Sequence, residues 1–488
     1  MRKTSQIIYL AVLIILAVAS CAAAYAEPDI SLPLGVQWAF SMGPDPTAVG
    51  TPAFTADRVY VSHRGTVHCL DRRTGAEQWT FSVERAAIIT SPVVWKNLVI
   101  VGATNATLYG LDGATGRPVW ERICASSVVP DPLLVDDMLM VGAGQMVYAM
   151  SPETGDATWI CALETTAKAG PVTDGSMLYF LGSDGSVQCV DGTAGRFRWR
   201  VGLSVGPRVY RPIVAGGRAI VASGNRVYGV SRSGSVAWTA EMPAAVGATP
   251  SLIDDMMFIP CVDGQIYVLY GRSGAPRRHT IYKVDHCLTS SPVVTASIVA
   301  VGSADGLVFA FDRASGDVRW IYRCRAPDQL PTEGSAYGVY APLRIIESQL
   351  YCLTGTGDLY KFSGSAPDTG GPVWGDFRPD PGSALPGAGY YGPACSVVDD
   401  VSGVDPTSVR GSIDGVPMSI SFDVVTGVAQ MQAIRLDDGS HIVEVSAKDF
   451  RGNETSAKWS FVTDASIVAA PSQQTLSQTG RMGRVGGR

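Results

Sequence analysis

Ten cysteines and five histidines are the side chains of this 488-residue chain whose types could bind a metal or act as nucleophiles. No two cysteines are adjacent, no C-x-x-C pair occurs, and no Cys/His cluster has the spacing of a zinc site. No two histidines lie four residues apart, as they would on the metal-binding face of a helix. The five histidines are His63, His68, His279, His286 and His441. The sequence therefore predicts no metal site.

Lone aspartates such as Asp184, Asp263 and Asp305 are acids that could be considered as a catalytic base, but each directly precedes a glycine in a predicted turn. Aspartate at such a position commonly accepts hydrogen bonds from its own backbone. We therefore interpret the three aspartates as turn residues rather than as members of an active site.

Composition excludes several classes of function. Apolar residues make up 46% of the chain and charged residues 17%, which is typical of a folded rather than a disordered protein. The net charge of −6 provides no broad cationic field, so nucleic-acid binding is not expected. After the first two dozen residues, no uncharged apolar run is long enough to span a bilayer.

The N-terminal residues predict export. Arg2 and Lys3 precede the apolar run 7–19, and Ala24-Tyr25-Ala26 fits a signal-peptidase site, so residues 1–26 are predicted to be a signal peptide. Val18-Ala19-Ser20-Cys21 resembles a bacterial lipobox, which leaves lipidation of Cys21 open as an alternative. Either route places the protein outside the cytoplasm, in the periplasm, at the outer membrane or cell surface, or secreted. A lipid on Cys21 would be the one expected membrane contact.

A repeat of about 40 residues determines the predicted fold. Proline-ended dipeptides recur at spacings between 38 and 50 residues, from Thr51-Pro52 to Ala341-Pro342. Eight of the ten tryptophans follow the same period, and seven of these eight stand four residues after a glycine. The period would place a further tryptophan at residue 278, but the sequence has Arg278 there. The repeat tryptophans are Trp38, Trp79, Trp120, Trp159, Trp199, Trp238, Trp320 and Trp374.

Each unit contains short runs rich in Val, Ile, Leu and Tyr, separated by Gly, Asp or Asn, which is the signature of antiparallel strands. Four such strands form one blade, and the chain is predicted to be all-β, with an eight-bladed β-propeller over residues 33–378. We interpret the tryptophans as wedges between blades. Cys69 and Cys189 share a strand position that is elsewhere small, so they are predicted to fill the core. Either the Trp38 strand or the Trp374 strand could complete the last blade.

The C-terminal part has a different pattern. Residues 379–394 are rich in Gly and Pro and are predicted to be a linker. Alternating strands over 395–464 predict a small β-sandwich, which resembles bacterial immunoglobulin-like modules in stretches such as Leu436–Val443 and Ala447–Asn453. The tail 465–488 is predicted to be disordered.

The repeat resembles the pyrroloquinoline-quinone-type propeller repeat. Its pattern of a start proline, G-x-[LV]-[YF]-A-L-D and T-G-x-x-x-W is seen, with substitutions, in 65–71, 185–191 and 306–312, and the resemblance covers roughly residues 35–377. Quinoprotein alcohol dehydrogenases and non-enzymatic lipoproteins similar to the outer-membrane assembly factor B (BamB) share this repeat, so the resemblance implies the fold but leaves the function open.

The resemblance allows three functions. The first is a non-enzymatic scaffold that binds envelope or surface proteins. The sequence does not specify the binding face of such a scaffold or the pairing of its cysteines. The second is a quinoprotein dehydrogenase with pyrroloquinoline quinone and calcium. Such enzymes imply a vicinal cysteine pair, which this sequence lacks, so no catalytic or cofactor-binding residue is assigned and no cofactor is expected. The third is a surface adhesin or glycan-binding module.

Overall fold

The computed structural model describes residues 29–43, 50–129, 131–204, 210–277, 281–324 and 338–467. The chain forms two compact units. The first contains the residues up to Gly370 together with 399–405 and 449–453, and the second contains the described remainder. The predicted signal peptide 1–26 (with Cys21), Arg278 and tail residues 468–488 lie outside the described residues. In the part of the chain described, no helix is long and apolar enough to cross a membrane.

The first unit is built from short strands that follow the repeat. Strand β1 spans Gly35–Ser41. The next two sheets contain β2 (Ala53–Phe54), β3 (Arg58–His63), β4 (Thr66–Asp71), β5 (Glu77–Ser82), β6 (Val93–Trp95), β7 (Leu98–Gly102), β8 (Thr107–Asp112) and β9 (Pro118–Ile123). The third and fourth contain β10 (Leu133–Val135), β11 (Met138–Ala143), β12 (Met146–Met150), β13 (Ala157–Ala162), β14 (Ala167–Thr173), β15 (Met177–Gly182), β16 (Ser186–Asp191) and β17 (Arg196–Gly202).

The remaining sheets of this unit repeat the same order. The fifth and sixth contain β18 (Ile213–Ala215), β19 (Arg218–Ser223), β20 (Arg226–Ser231), β21 (Val236–Glu241), β22 (Ser251–Ile253), β23 (Met256–Pro260), β24 (Gln265–Tyr270) and β25 (Tyr282–Lys283). The last two contain β26 (Val293–Val294), β27 (Ile298–Gly302), β28 (Leu307–Asp312), β29 (Val318–Arg323), β30 (Arg344–Ile346), β31 (Gln349–Leu353) and β32 (Asp358–Ser363).

Among the described residues of this unit, eight four-stranded antiparallel sheets follow one another as blades 1 to 8. Blades 1 to 7 each use four consecutive strands, whereas blade 8 has the order β1-β32-β31-β30. The N-terminal strand with Trp38 is thus the outer strand of the last blade, and Trp38 lies opposite Lys361. Buried clusters join blade 7 to blade 8 and blade 8 to blade 1, so the all-β propeller predicted from the sequence closes on itself.

Trp374 lies in the first strand of the second unit and does not complete the propeller. Its strands are β33 (Val373–Arg378), β34 (Ala384–Pro386), β35 (Gly389–Tyr391), β36 (Ala394–Val398), β37 (Arg410–Ile413), β38 (Val416–Met418), β39 (Ile420–Asp423), β40 (Val428–Met431), β41 (Ile434–Leu436), β42 (Gly439–Lys448) and β43 (Glu454–Asp464). They form the sheets β33-β36-β40-β39 and β34-β43-β42-β37-β38, with a separate β35-β41 pair.

Three expectations about this region differ from the structure. The predicted linker 379–394 contains β34, which pairs with the end of β43, and β35, which pairs with β41. The propeller unit ends at Gly370 instead of residue 378. Trp374 is not a blade tryptophan, because it lies in β33 and donates to Thr455 Oγ1 at 3.1 Å. The Gly and Pro content suggests a linker, but Pro381 and Gly382 form a turn beside short paired strands, and Pro386 and Gly389 lie within those strands.

The periodic tryptophans connect each blade to the next. Most of these indoles lie opposite a small residue of their own blade, as Trp120 faces Gly110, where a Cβ atom would lie 2.2 Å from the ring, although Trp38 lies opposite Lys361. The ring usually rests on the turn glycine of the following blade, as Trp79 does on Gly116. The Nε1–H usually donates to a carbonyl of that turn, as from Trp79 to Gly113 at 3.1 Å. The glycine and the tryptophan four residues after it therefore belong to two different blade junctions: the glycine receives the ring of the preceding blade, and the tryptophan packs on the following blade.

Tyr282 performs this role in blade 6, where the tryptophan is missing. Its hydroxyl donates to the Arg313 carbonyl in the turn of blade 7 at 2.6 Å. Its ring is 1% exposed and packs edge-on against Phe311 with ring centroids 5.8 Å apart. The sequence showed the gap in the tryptophan period but not the residue that fills it, because Tyr282 is four positions away from the expected beat.

A later segment of the chain supplies a turn at the junction of blades 7 and 8. Blade 8 has no hairpin between β32 and β1, because these strands come from opposite ends of the propeller sequence. Asp399–Gly403 has the D-x-x-[ST]-G sequence of the blade turns at Asp71 and Asp312, and Asp399 Oδ1 accepts the N–H groups of residues 401, 402 and 403 at 2.8–3.1 Å. Trp320 donates to the Ser402 carbonyl at 2.9 Å, so this segment takes the place of the missing turn.

We predict that two alanine variants separate the stability that comes from the contact of a glycine with a tryptophan ring from the stability that comes from the positive φ angle of the glycine. Gly234 and Gly217 of blade 5 both have positive φ angles, +86° and +73°, but only Gly234 has a ring, that of Trp199, within 2.7 Å of a built Cβ. Gly217→Ala should cost about 1 kcal/mol through backbone strain, whereas Gly234→Ala should cost about 3 kcal/mol because the ring must also move. Denaturant unfolding measures both variants, and equal losses would contradict the proposed wedge contact.

An ion pair in the second unit responds to pH. His441 Nδ1 lies 2.8 Å from Asp414 Oδ2, and Nε2 lies 2.9 Å from the Asp437 carbonyl. Burial opposes protonation of His441, but its hydrogen bonds to Asp414 and Asp437 outweigh burial and raise its pKa above the usual 6.5. Burial also opposes ionisation of Asp414, but the hydrogen bond from His441 outweighs burial, so the pKa of Asp414 lies below the usual 3.8.

These directions predict how His441→Gln affects stability. The His441 contribution is complete below its unfolded pKa and is lost as pH rises through the higher folded pKa, whereas that of Asp414 is lost at low pH. His441→Gln should therefore destabilise the second unit more at about pH 5.5 than at about pH 8.5. Calorimetry of the full chain at both pH values tests this, and a loss that is equal at both or larger at high pH would show that the pair is not charged in the fold.

Candidate interaction site

The cysteines at the repeated strand position are buried in the propeller core. Cys69 pairs in register with Trp79, and Cys189 with Trp199, where each indole needs a small neighbour. Burial raises the pKa of both thiols to about 12, so neither forms a thiolate at neutral pH. The structure therefore gives these two thiols a packing role.

The three aspartates that precede turn glycines are held by hydrogen bonds from nearby backbone and side-chain groups. Asp184 and Asp263 each accept the N–H two residues ahead at 3.1 Å, and Asp305 Oδ2 lies 2.6 Å from His286 Nδ1. Burial of Asp184 opposes ionisation, but hydrogen bonds from Ser186 and Arg200 outweigh it and hold the pKa of Asp184 well below its usual range. The structure does not bring the three carboxylates together.

One group of carboxylates within the first unit has the chemistry of a cation site. Oxygens of Asp368, Asp399 and Asp449 all lie within 4.8 Å of one another, and carboxylate oxygens are preferred ligands of Ca²⁺. Burial, reinforced by the charge of Asp368, raises the pKa of Asp399. Asp399 caps its turn and Asp449 accepts Asn453 Nδ2 at 2.7 Å, so these positions are explained by the loops themselves. We assign no metal to them.

Strand β13, the outer strand of blade 3, is an uncharged sheet edge. It forms one end of the sheet order β10-β11-β12-β13, so its outer backbone groups have no partner strand in that sheet. Its sequence Ala-Thr-Trp-Ile-Cys-Ala contains no charge, and Thr158, Ile160 and Ala162 face solvent. The side chain of Ile160 is 52% exposed. Exposed edges without charges are places where another strand can pair.

Several other outer strands carry charges that would discourage such pairing, although β1 of blade 8 (Gly35–Ser41) carries none. Strand β17 of blade 4 contains Arg196, Arg198 and Arg200, and β29 of blade 7 contains Arg319 and Arg323. Charged side chains on an edge disfavour the approach of a second strand. The uncharged edge of blade 3 therefore stands out from its neighbour in blade 4.

A mainly apolar groove opens beside β13, between blades 3 and 4. Its volume is about 290 Å³, and its lining combines apolar residues, among them Met138, Met140, Trp159 and Leu178, with polar residues that include Asp136. Methionine side chains adapt their shape to a bound surface and favour contact with varied apolar groups. Thr158 of β13 also lines this groove, so the strand edge and the apolar groove form one continuous candidate site.

The wall of the groove from blade 4 is held by Asp174. Its Oδ1 accepts the N–H groups of Ser176 and Met177 at 3.1 and 2.9 Å, and its Oδ2 accepts the Tyr179 hydroxyl at 2.9 Å. Burial opposes ionisation of Asp174, but these hydrogen bonds and the charge of Arg232 outweigh it and lower its pKa. The ionised carboxylate of Asp174 therefore holds the turn at Gly175 and Ser176, which forms part of the groove wall.

Trp159 explains why the groove occurs at this junction. Its ring rests on Gly195, as the other blade tryptophans rest on their glycines. Within the described residues, however, it shows no hydrogen bond to Gly192, the residue equivalent to Gly113 in blade 2, and both Trp159 and Gly192 line the groove. Strand β14 has two register shifts against β15, so the inner part of blade 4 departs from the regular blade geometry here.

The sequence predicted Trp159 as a structural wedge but did not identify the groove or the β13 edge. The lack of charge in 157–162 was visible in the sequence, but β1 lacks charge as well, so this signal alone does not single out β13. The groove was not predictable in the same way, because it depends on the register shifts of β14 and on the packing of two blades. The other seven repeat tryptophans lie in outer strands, as Trp38, Trp79, Trp120, Trp199, Trp238 and Trp320 do in the propeller, or in β33, as Trp374 does.

The closed series of four-stranded blades and the wedge tryptophans define a β-propeller built from pyrroloquinoline-quinone-type repeats. The sequence profile of the family described as outer membrane protein assembly factor BamB matches residues 63–182 and 183–377. The chain belongs to this family.

Known proteins resemble the propeller at low sequence identity. Outer membrane protein assembly factor BamB of Yersinia pestis is 23% identical over 290 residues, which cover 54% of this chain and 72% of that protein. A quinohemoprotein alcohol dehydrogenase of Comamonas testosteroni is 26% identical over 150 residues, which cover 26% of this chain and 21% of the enzyme. The crystal structure of BamB from Moraxella catarrhalis has a TM-score of 0.54 at 18% identity and covers 68% of this chain and 99% of that structure. The structural likeness supports the fold.

Proposed function

We propose that this protein is a non-enzymatic extracytoplasmic scaffold that binds other envelope proteins during assembly of the outer membrane or cell envelope. Membership of the assembly-factor family supports this role. The N-terminal pattern in residues 1–26 supports export, either with cleavage after Ala26 or with a lipid on Cys21. The mass of the mature N-terminal peptide distinguishes these two forms.

The observation that carries the proposal is the uncharged edge of β13 beside the groove between blades 3 and 4. An extended segment of a partner can add to an open sheet edge through main-chain hydrogen bonds, while side-chain pockets select its sequence. Here β13 provides the edge, and the groove receives an apolar side chain against Met138, Met140 and Leu178. The partner segment is therefore expected to be extended, with an apolar residue at the position that meets the groove.

The neighbouring arginines define the partner's charge. Arg198 pairs with Asp191, and Arg200 pairs with Asp184, so part of the positive charge of β17 is already neutralised within blade 4. The side chains of Arg198 and Arg200 are nevertheless 47% and 37% exposed. The groove lining also contains Asp136, so an acidic residue of the partner would be favoured where it meets these arginines, beyond the apolar residue that enters the groove.

We predict that a charge on the edge of β13 weakens partner binding. Ile160→Lys places an ammonium group on the uncharged edge, whereas Thr239→Lys makes the same change at the residue after the blade 5 tryptophan, which is also exposed. Tagged full-length variants are incubated with envelope extract from the source organism, and captured assembly proteins are quantified by mass spectrometry. Ile160→Lys should reduce capture about tenfold, which corresponds to about 1.4 kcal/mol.

The control decides whether the location matters. Thr239→Lys should leave capture within about twofold of the unchanged protein, since a tenfold change needs about 1.4 kcal/mol. Equal losses in both variants would contradict a binding site on β13, and capture of no assembly protein by the unchanged chain would contradict the assembly role. Thermal unfolding of both variants confirms that each is folded before capture is compared.

A second assay tests the non-enzymatic part of the proposal. The similarity to the Comamonas enzyme covers 21% of that enzyme, which leaves most of the enzyme's length unmatched. Purified protein with added pyrroloquinoline quinone and Ca²⁺ is expected to reduce no electron-acceptor dye when alcohols or sugars are supplied. Saturable turnover that depends on the quinone would overturn the scaffold assignment in favour of a quinoprotein dehydrogenase.

A further inference from the structure

Two buried cysteines face each other at the junction where the propeller closes. Cys324 follows β29 of blade 7, and Cys352 lies in β31 of blade 8. Their Sγ atoms are 4.0 Å apart, and both side chains are 0% exposed. We propose that Cys324 and Cys352 form a disulfide bond that links blade 7 to blade 8.

Strand pairing holds the backbone of both cysteines in place. The backbone N–H of Cys324 donates to the Gly306 carbonyl at 2.9 Å, which continues the pairing of β28 with β29. Cys352 is paired in register with Tyr360 of β32. A disulfide bond is about 2 Å long, so the sulfurs must approach by about 2 Å, which is within the reach of side-chain rotation.

This bond would constrain the part of the ring that has no continuous hairpin. Blade 8 receives its outer strand from β1, and Trp320 of blade 7 packs on the turn supplied by residues 399–403. The two cysteines are 28 positions apart, so the bond would close a loop that leads from the end of blade 7 into the centre of blade 8. Cross-links of this kind restrict the unfolded chain and favour the closed ring.

The oxidation needs a disulfide-bearing oxidant, either oxidised glutathione or a thiol–disulfide oxidoreductase. The thiolate of one cysteine attacks the oxidant's S–S bond, which breaks and leaves a mixed disulfide and one protonated thiol. The second cysteine thiolate then attacks the mixed disulfide, forms the Cys324–Cys352 bond and releases the second oxidant thiol. The two protein thiols lose two electrons and two protons, and the oxidant gains both.

The burial of the pair determines when this reaction takes place. Burial raises the pKa of the Cys324 thiol, so the thiolate needed for exchange does not form in the closed ring. The exchange therefore takes place during folding, before blade 8 packs on blade 7. In the cell this inference rests on the proposed extracytoplasmic location, because oxidising compartments maintain disulfides.

Refolding of the purified full chain tests the bond without any partner protein. The reduced, unfolded chain is refolded with a mixture of oxidised and reduced glutathione, free thiols are alkylated, and the digest is analysed by mass spectrometry. The expected product is a cross-linked peptide pair containing residues 324 and 352. Complete alkylation of both residues, or a link from either of them to another cysteine, would overturn the proposal.

A stability measurement provides the matched control. The denaturation midpoint of the refolded chain should fall when a phosphine reductant is added, and the double variant Cys324→Ser/Cys352→Ser should show no such reductant-dependent shift. Cys261→Ser changes a buried cysteine of blade 6 and should retain the shift. A shift that persists in the double variant would overturn the proposal. The result is independent of capture at β13, so either proposal can fail alone.

Discussion

The contact of an indole ring with the turn of the following blade is the interaction on which the propeller depends. A four-stranded blade leaves apolar side chains on both faces, and these are buried only when neighbouring blades pack against them. The tryptophan provides a large apolar surface and one N–H group, and the turn provides a glycine without a Cβ and a carbonyl acceptor. A regular junction thereby combines apolar burial with a satisfied polar group.

The same requirement explains the two places where the repeat is incomplete. At blade 6, Tyr282 reaches the Arg313 carbonyl, so the polar contact is kept although the tryptophan is absent. At blade 8, strands from distant parts of the sequence must meet, and no hairpin is available to receive Trp320. Residues 399–403 provide an equivalent turn, and Phe450 packs against the buried cluster that contains Trp320. The contact is therefore maintained while the residues that form it change.

Periodicity made the propeller predictable, because the spacing of Gly75 and Trp79 repeats wherever the same two contacts are needed. It could not separate Trp374 from the true blade tryptophans, since Gly370 precedes it by the same four positions. The strands within 379–394 were missed because each is only three residues long and is held by pairing with distant strands. The candidate site was missed for a related reason: a groove depends on the register between strands, which composition does not specify.

Regular packing and binding make opposite demands on a repeat protein. A junction in which the indole is fully enclosed and hydrogen-bonded, such as Trp120 with the Pro152 carbonyl, leaves no apolar surface for a partner. At the junction of blades 3 and 4, the register shifts of β14 loosen this arrangement, and Trp159 becomes part of a groove wall. The adjacent β13 edge is uncharged, and an uncharged edge can pair with another strand. The departure from the repeat in blade 4 thus places an apolar surface beside the open edge of β13, so main-chain and apolar binding groups lie at one place.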